Sequence, residues 1–395
     1  MNPSTPGWID KFGYLVKDNH DYFGSFEEVY TLLKSTGFVY GINLDVPPFI
    51  TREVPLSEDE KAKINLITAL YFAYRFKNKE PNFEAFLGSV FMFYKDLGIN
   101  RISFLNKFLT TKKTSSKLEN LLNSRIYLED NVISKTFNNI ITNSLLFIDV
   151  LSFKRYLEGE IAIKEYAQSL EYITINITYH TLNSKEKNKS DKKLAQLFAS
   201  SLTFIESTKQ DFDGTYRNQL VNNYSYSENR YFLDIACLTA WEDQSLDYTE
   251  SDFIFGLGKD LGFVQNDITK SLQDVTGFFQ LNADKIPHLQ DHNLAVQFYD
   301  SMSKIVNKLI LRNSKRLQKE LSESKELVSL LTKSTMKDLS PEEKKKVQNY
   351  LIDIFKSIPS LAIFILPGGA VLLPIFIKLI PKLLPSSFDD NRVEK

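Results

Sequence analysis

Twenty consecutive residues, Ile358 to Ile377, carry no charge, and proline interrupts them at 359, 367 and 374 before recurring at 381 and 385. As continuous helix such a run would reach about 30 Å, the thickness of a bilayer's hydrocarbon core. Each proline removes a backbone donor, a repeated loss that a buried soluble helix tolerates poorly. Membrane helices tolerate it better, because neighbouring groups satisfy the freed carbonyls. The run therefore reads as a proline-interrupted transmembrane or membrane-inserted helix. It is either a kinked single span or a re-entrant hairpin turning at Pro367, Gly368 and Gly369. A hairpin buried inside a wholly soluble helical scaffold is the remaining alternative.

The rest of the chain predicts an all-α protein with a multi-helical N-terminal region. Only 15 glycines and 13 prolines punctuate 395 residues, and long stretches place apolar residues three and four apart. In "PLSEDEKAKINLITALYFAYRF" Ser57 and Glu60 form a capping box ahead of the stripe Ile64, Ile67, Leu70 and Tyr71. The same periodicity runs through residues 83–98, 119–151 and 191–207. "YITINITYH" is rich in β-branched residues and suits a strand, but Ile173 and Ile177 also fit a helical stripe, and the helical neighbours favour helix.

Composition divides the chain into six parts. Residues 1–55 form an N-terminal segment closed by the proline-bearing connector "YGINLDVPPFITREVPLSE", and residues 56–182 form a helical unit. A second helical unit, 183–290, opens on the lysine-rich run "NSKEKNKSDKK". Basic amphipathic helices follow over 291–357, then the membrane segment 358–388 and a tail, 389–395. From Lys304 to Lys346 there are 12 lysines or arginines against 6 acids, interleaved with Ile305, Leu309, Leu317 and Leu321. "LSPEEKKKVQNYLIDIFKSI" then opens a helix with Ser340 as cap, Pro341 as first helical residue and Glu343 closing the box, above the stripe Val347, Leu351, Ile354, Phe355 and Ile358.

Nothing in the sequence argues for an enzyme. There is no glycine-rich phosphate loop, nucleophile elbow or metal box, and no cofactor is expected. Asp243, Ser245, Asp247, Thr249 and Ser251 alternate as calcium ligands would. However, Tyr248 stands where the loop needs glycine and Ile254 where it needs a bidentate glutamate, so a solvated interhelical turn is favoured. His288 and His292 are four apart without the glutamate of a zinc-protease helix or a third ligand, and His20 and His180 stand alone. No metal site follows. The lone cysteine, Cys237, excludes an internal disulfide and reads as a buried apolar side chain. The net charge of −1 provides no global field toward nucleic acid, so direct nucleic-acid binding is not expected.

Two stretches resemble known families. Residues 234–263 resemble the helix, acidic turn, helix element of tellurite-resistance B-type domains, with Thr249 and Asp252 as cap and Leu261 and Gly262 as ending. "LSPEEKKKVQNYLIDIFKSIPSLAIFILPGGAVLLPIFIKLIPKLLPSSFDD" resembles the signature of the leucine-zipper and EF-hand-containing transmembrane (Letm) family, on Pro359, Pro367, Leu372, Leu373, Pro374, Lys378, Leu379, Pro381, Leu384, Pro385, Ser386 and Phe388. That resemblance implies inner-membrane anchoring, potassium or calcium exchange against protons, and ribosome binding by the domain that begins here. Bacterial relatives of this kind are grouped as Letm-related, biofilm-associated proteins. Where the family carries an intramembrane glutamate this sequence has Ala370, which removes the natural carrier of a proton or cation. The sequence also ends ten residues after Pro385, without the rest of the ribosome-binding domain.

The expectation is a non-enzymatic, membrane-anchored helical interaction protein with a protein or ribosome as partner and a link to biofilm or envelope physiology. A cation/proton exchange subunit is the alternative, and it requires a homo-oligomer because one span makes no pathway. The N-terminus has no secretory signal, and the basic excess before the span against the tail's 3 acids and 2 bases places the N-terminal bulk in the cytoplasm and the anchor in the inner (cytoplasmic) membrane.

Overall fold

No proline falls between Pro81 and Pro287, so nothing in that interval prevents long helices. The computed structural model describes residues 1–51, 55–78, 82–97, 113–126, 144–184, 216–220, 224–241, 248–286, 303, 306–307, 309–311, 313–358, 361, 373–384 and 388. Every regular element among them is a helix. The N-terminal and central helices are α1 (Trp8–Asp18), α2 (Phe26–Ser35), α3 (Glu58–Lys77), α4 (Phe83–Asp96), α5 (Thr114–Arg125), α6 (Phe147–Leu157), α7 (Ile163–Ser184), α8 (Tyr216–Leu220), α9 (Tyr226–Ala240), α10 (Tyr248–Asp260) and α11 (Gln265–Leu281). The C-terminal group is α12 (Ser314–Ser322), α13 (Lys325–Met336), α14 (Pro341–Ser357) and α15 (Leu373–Leu383).

Three helices are buried around their whole circumference: α3 from Ala62 to Tyr74, α6 from Phe147 to Phe153, and α9 from Tyr231 to Ala240. α6 packs between α3 and α7, while α9 packs on α7 and α11, so these helices form the centre and α1, α2, α4, α5 and α10 surround it. The β-branched run in α7 is helical, with Ile173 and Ile177 fully buried. Thr174, Thr178 and Thr181 each donate to the carbonyl four residues earlier, at 2.7, 3.0 and 2.8 Å, which satisfies their buried hydroxyls without leaving the helix.

The two predicted capping boxes form as expected. Ser57 Oγ accepts from the Glu60 amide (3.2 Å) while Glu60 accepts from the Ser57 amide (2.8 Å), and Ser340 and Glu343 repeat the arrangement at 3.3 and 2.9 Å with Pro341 leading the helix. α10 begins at Tyr248, so Thr249 lies inside its first turn and not at its cap. Its other end matches expectation: Gly262 adopts φ +85°, and the Phe263 and Gly262 amides donate to the Gly258 and Lys259 carbonyls in a Schellman turn. The stretches 191–207 and 242–247 and the pair His288 and His292 lie outside the described residues.

Two features of the C-terminal third follow from its local chemistry. The basic region forms separate helices: α12 ends at Ser322 and α13 starts at Lys325, with Asn313 Nδ2 and Ser322 Oγ donating to the Leu309 and Lys319 carbonyls at 2.7 and 2.6 Å. These short polar side chains offer the backbone partners that compete with helix continuation. α14 does not continue into the uncharged run. α14 stops at Ser357, and Ile358 is extended (φ −116°, ψ 101°) because the residue before a proline is pushed out of the helical region. Among the described residues no helix is long and apolar enough to cross a membrane.

Inside the core, Asp149 is fully buried and accepts from Arg125 Nε (2.7 Å), Arg125 Nη2 (2.9 Å) and Tyr94 Oη (3.0 Å), tying α6 to α5 and α4. Burial opposes the charge on Arg125, but Asp149 outweighs it and raises the guanidinium pKa. Asp149→Ala removes the main partner of that buried cation. Urea denaturation of the variant is expected to show a loss of about 3–5 kcal/mol; a loss below 1 kcal/mol would show the pair to be dispensable.

Candidate functional site

The residues that carry the proline signature fall partly within the described structure. Leu373 and Pro374 are the first described residues of α15. Pro381 lies in the last turn. Leu373, Ile375, Phe376, Ile377 and Ile380 are buried, as are Leu384 and Phe388 beyond the helix, whereas Lys378 is exposed and shares its face with the exposed Lys382 one turn later. The buried face lies on α13, and Phe376 meets Phe355 of α14 edge to face with centroids 5.2 Å apart. Lys333 of α13 pairs with Glu343 of α14, and Glu326 accepts from Lys346 (2.7 Å) and Tyr350 (2.6 Å), so the two helices that carry α15 are clasped together. Pro359, Pro367, Leu372, Pro385 and Ser386 lie outside the described residues.

A second constellation was not anticipated. Asp234, fully buried in α9, accepts from Tyr30 Oη (2.7 Å) and Lys34 Nζ (3.0 Å) of α2. Lys34 also donates to Asp274 of α11 at 2.9 Å. Arg230, one turn before Asp234, stands 3.6 Å from it and 3.7 Å from Asp274, close enough for charge attraction but too far for a hydrogen bond. Two left-handed glycines, Gly37 (φ +84°) and Gly41 (φ +75°), fold the chain after α2 so that Tyr40 lies beneath Lys34, its ring 5.9 Å from Nζ and 5.1 Å from Phe278. A Cβ on Gly37 would sit 2.0 Å from the Ile42 carbonyl, so only glycine makes this turn. Burial, then Asp234, raises the phenol pKa of both Tyr30 and Tyr40 well above the usual value, and both stay protonated. The group opens on a cleft of about 490 Å³ between α2, α9 and α11.

Sequence reasoning missed these residues because their partners lie about two hundred positions apart. The available signal was a lone aspartate inside the apolar string "YFLDIACLTAW". Cys237, one turn after Asp234, is buried, and burial followed by Asp234 pushes its thiol pKa up, so it behaves as the small apolar side chain expected. His180 packs flat against Tyr216, with centroids 5.0 Å apart. Among the described residues no group of three or more histidine, cysteine, aspartate or glutamate side chains is placed to hold a metal ion.

Residues 339–395 match the family model described as LETM1-like, RBD. The C-terminal segment is therefore Letm1-like, and the match begins at the capping turn of α14. Among curated proteins and solved structures, none matches the chain.

Lys34 and Asp234 form one electrostatic unit with Tyr30 and Arg230, so their effects on stability are not additive. In urea denaturation Lys34→Met and Asp234→Asn are each expected to destabilise, with a coupling of about 0.5–3 kcal/mol in the double-mutant cycle. Strict additivity would show that the two groups act separately.

Proposed function

We propose that this chain is a non-enzymatic helical protein that its Letm1-like segment attaches to the inner (cytoplasmic) membrane, with the N-terminal helices held in the cytoplasm as a partner-binding body. The observation that carries this reading is the family match over 339–395, coinciding with the uncharged, proline-broken stretch that precedes α15. α13 and α14 support it as a clasped platform for α15, with Lys378 and Lys382 on the open face, where cationic side chains suit an anionic lipid surface. Ala370 argues against cation/proton exchange, because no carboxylate stands at the place where an exchanger needs one. The partner proposed is another protein, bound by the N-terminal helices, or the ribosome, bound by the segment that shares the family's pattern.

High-pH carbonate treatment of membranes is the direct test. The full chain is expected to stay in the pellet and a chain ending at Met336 to appear in the supernatant, whereas release of the full chain without detergent would refute attachment.

Topology provides a separate check. With Cys237→Ser and a unique cysteine at Ser387, a single crossing predicts labelling of intact cells by an impermeant thiol reagent. Labelling only after permeabilisation, in membrane-bound protein, would instead show that the segment re-enters.

A further inference from the structure

The cleft between α2, α9 and α11 has the features of a binding site that the membrane reading does not use. Tyr40 is 1% exposed, it lines the cleft, and its hydroxyl has no hydrogen-bond partner among the described residues. A buried hydroxyl left unpaired costs on the order of 1–3 kcal/mol, so one that persists in a cleft wall marks a place where a ligand atom can complete it. Arg230 stands next to it with a side chain only 12% exposed. Its guanidinium lies beyond hydrogen-bond distance of both Asp234 and Asp274, so neither acid takes its N–H donors among the described residues. On the α11 side of the cleft, Gly277 lies inside the helix, four residues before its end, where glycine is up to about 1 kcal/mol worse than alanine. A Cβ there would meet nothing within 4 Å. No packing requires that glycine; its effect is to leave the cleft open.

Charge identifies the class of ligand. The lining carries three cations, Lys34, Arg230 and Lys270, and three acids, Glu27, Asp267 and Asp274. A bare anion would be attracted by one set and repelled by the other. A zwitterion satisfies both, with its carboxylate at Arg230 and the Tyr40 hydroxyl and its ammonium at Asp267, whose carboxylate makes no hydrogen bond among the described residues. The rings of Phe26, Tyr40 and Phe278 supply an apolar wall. The volume, about 490 Å³, is within the range of small-ligand pockets.

We propose that this cleft binds a small zwitterion, a free α-amino acid or dipeptide with an apolar or aromatic side chain, through Arg230 and Tyr40 at its carboxylate and Asp267 at its ammonium.

Thermal denaturation of the full chain in detergent, followed by isothermal titration, tests this with phenylalanine, leucine and dileucine, and with inorganic phosphate, N-acetylphenylalanine and phenylalaninamide as controls. Phenylalanine, leucine or dileucine is expected to raise Tm, and the free amino acids and the dipeptide together decide which size is preferred. The three controls are expected to leave Tm unchanged, because each lacks one of the two charges. Two variants separate binding from folding. Tyr40→Phe removes only the unpaired hydroxyl, and Gly277→Leu fills open space in a helix; both are expected to keep or raise the Tm of the free protein. Tyr40→Phe is expected to weaken the zwitterion by about ten- to a hundredfold, and Gly277→Leu to abolish its binding. No shift with any zwitterion, a shift with phosphate alone, or affinity unchanged in both variants would overturn the proposal.

Discussion

Asp234 has no contact with solvent, sits on a helix buried on every side, and is nevertheless surrounded by groups that require its charge. Tyr30 and Lys34 reach it from α2 and Arg230 from the turn before it, while Lys34 extends the same network to Asp274 on α11. A carboxylate in this position is costly unless cations and donors surround it, and the groups that surround it come from elements far apart in the chain. The N-terminal segment is therefore held against the centre by this charge as well as by apolar contact. Hydrophobic packing is tolerant of small slips, whereas a buried ion pair is not, so Asp234 specifies which faces of α2, α9 and α11 meet.

Asp149 plays a matching role on the other side of the central helices, with Arg125 and Tyr94 in place of Lys34 and Tyr30. Both aspartates interrupt strings that are otherwise apolar, "LFIDVLSF" and "YFLDIACLTA". Each gives an all-round hydrophobic helix, which on apolar contact alone could rotate about its axis, one direction that must face a cation. The difference between them is access: the guanidinium of Arg125 is fully engaged by Asp149, whereas that of Arg230 stops short of its acids and faces an open cleft.

What was legible in the sequence was what is local. Ser57 with Glu60, Ser340 with Pro341 and Glu343, and the stripe from Val347 to Ile358 each depend on spacings of a few residues, and each is found in place. Gly262 could be read as a helix end because its requirement is set by one turn of backbone. The ion clusters were not legible: Lys34 and Asp234 are 200 positions apart, and no periodicity links them. Tyr40 was invisible for a further reason, since its position depends on two left-handed glycines whose conformation only the packed chain reveals.

The C-terminal segment joins the two kinds of information. Pro359 has a local consequence, which is to extend Ile358 and end α14 where the uncharged run begins. The 11 described residues of α15 span about 16 Å, roughly half a bilayer core. Its apolar face is met by α13 and by Phe355, and its lysines are left outside. The described apolar residues of α15 are thus held by neighbouring helices, with Phe376 against Phe355 and the lysines left outside, and the length of the uncharged run alone does not determine how it is placed.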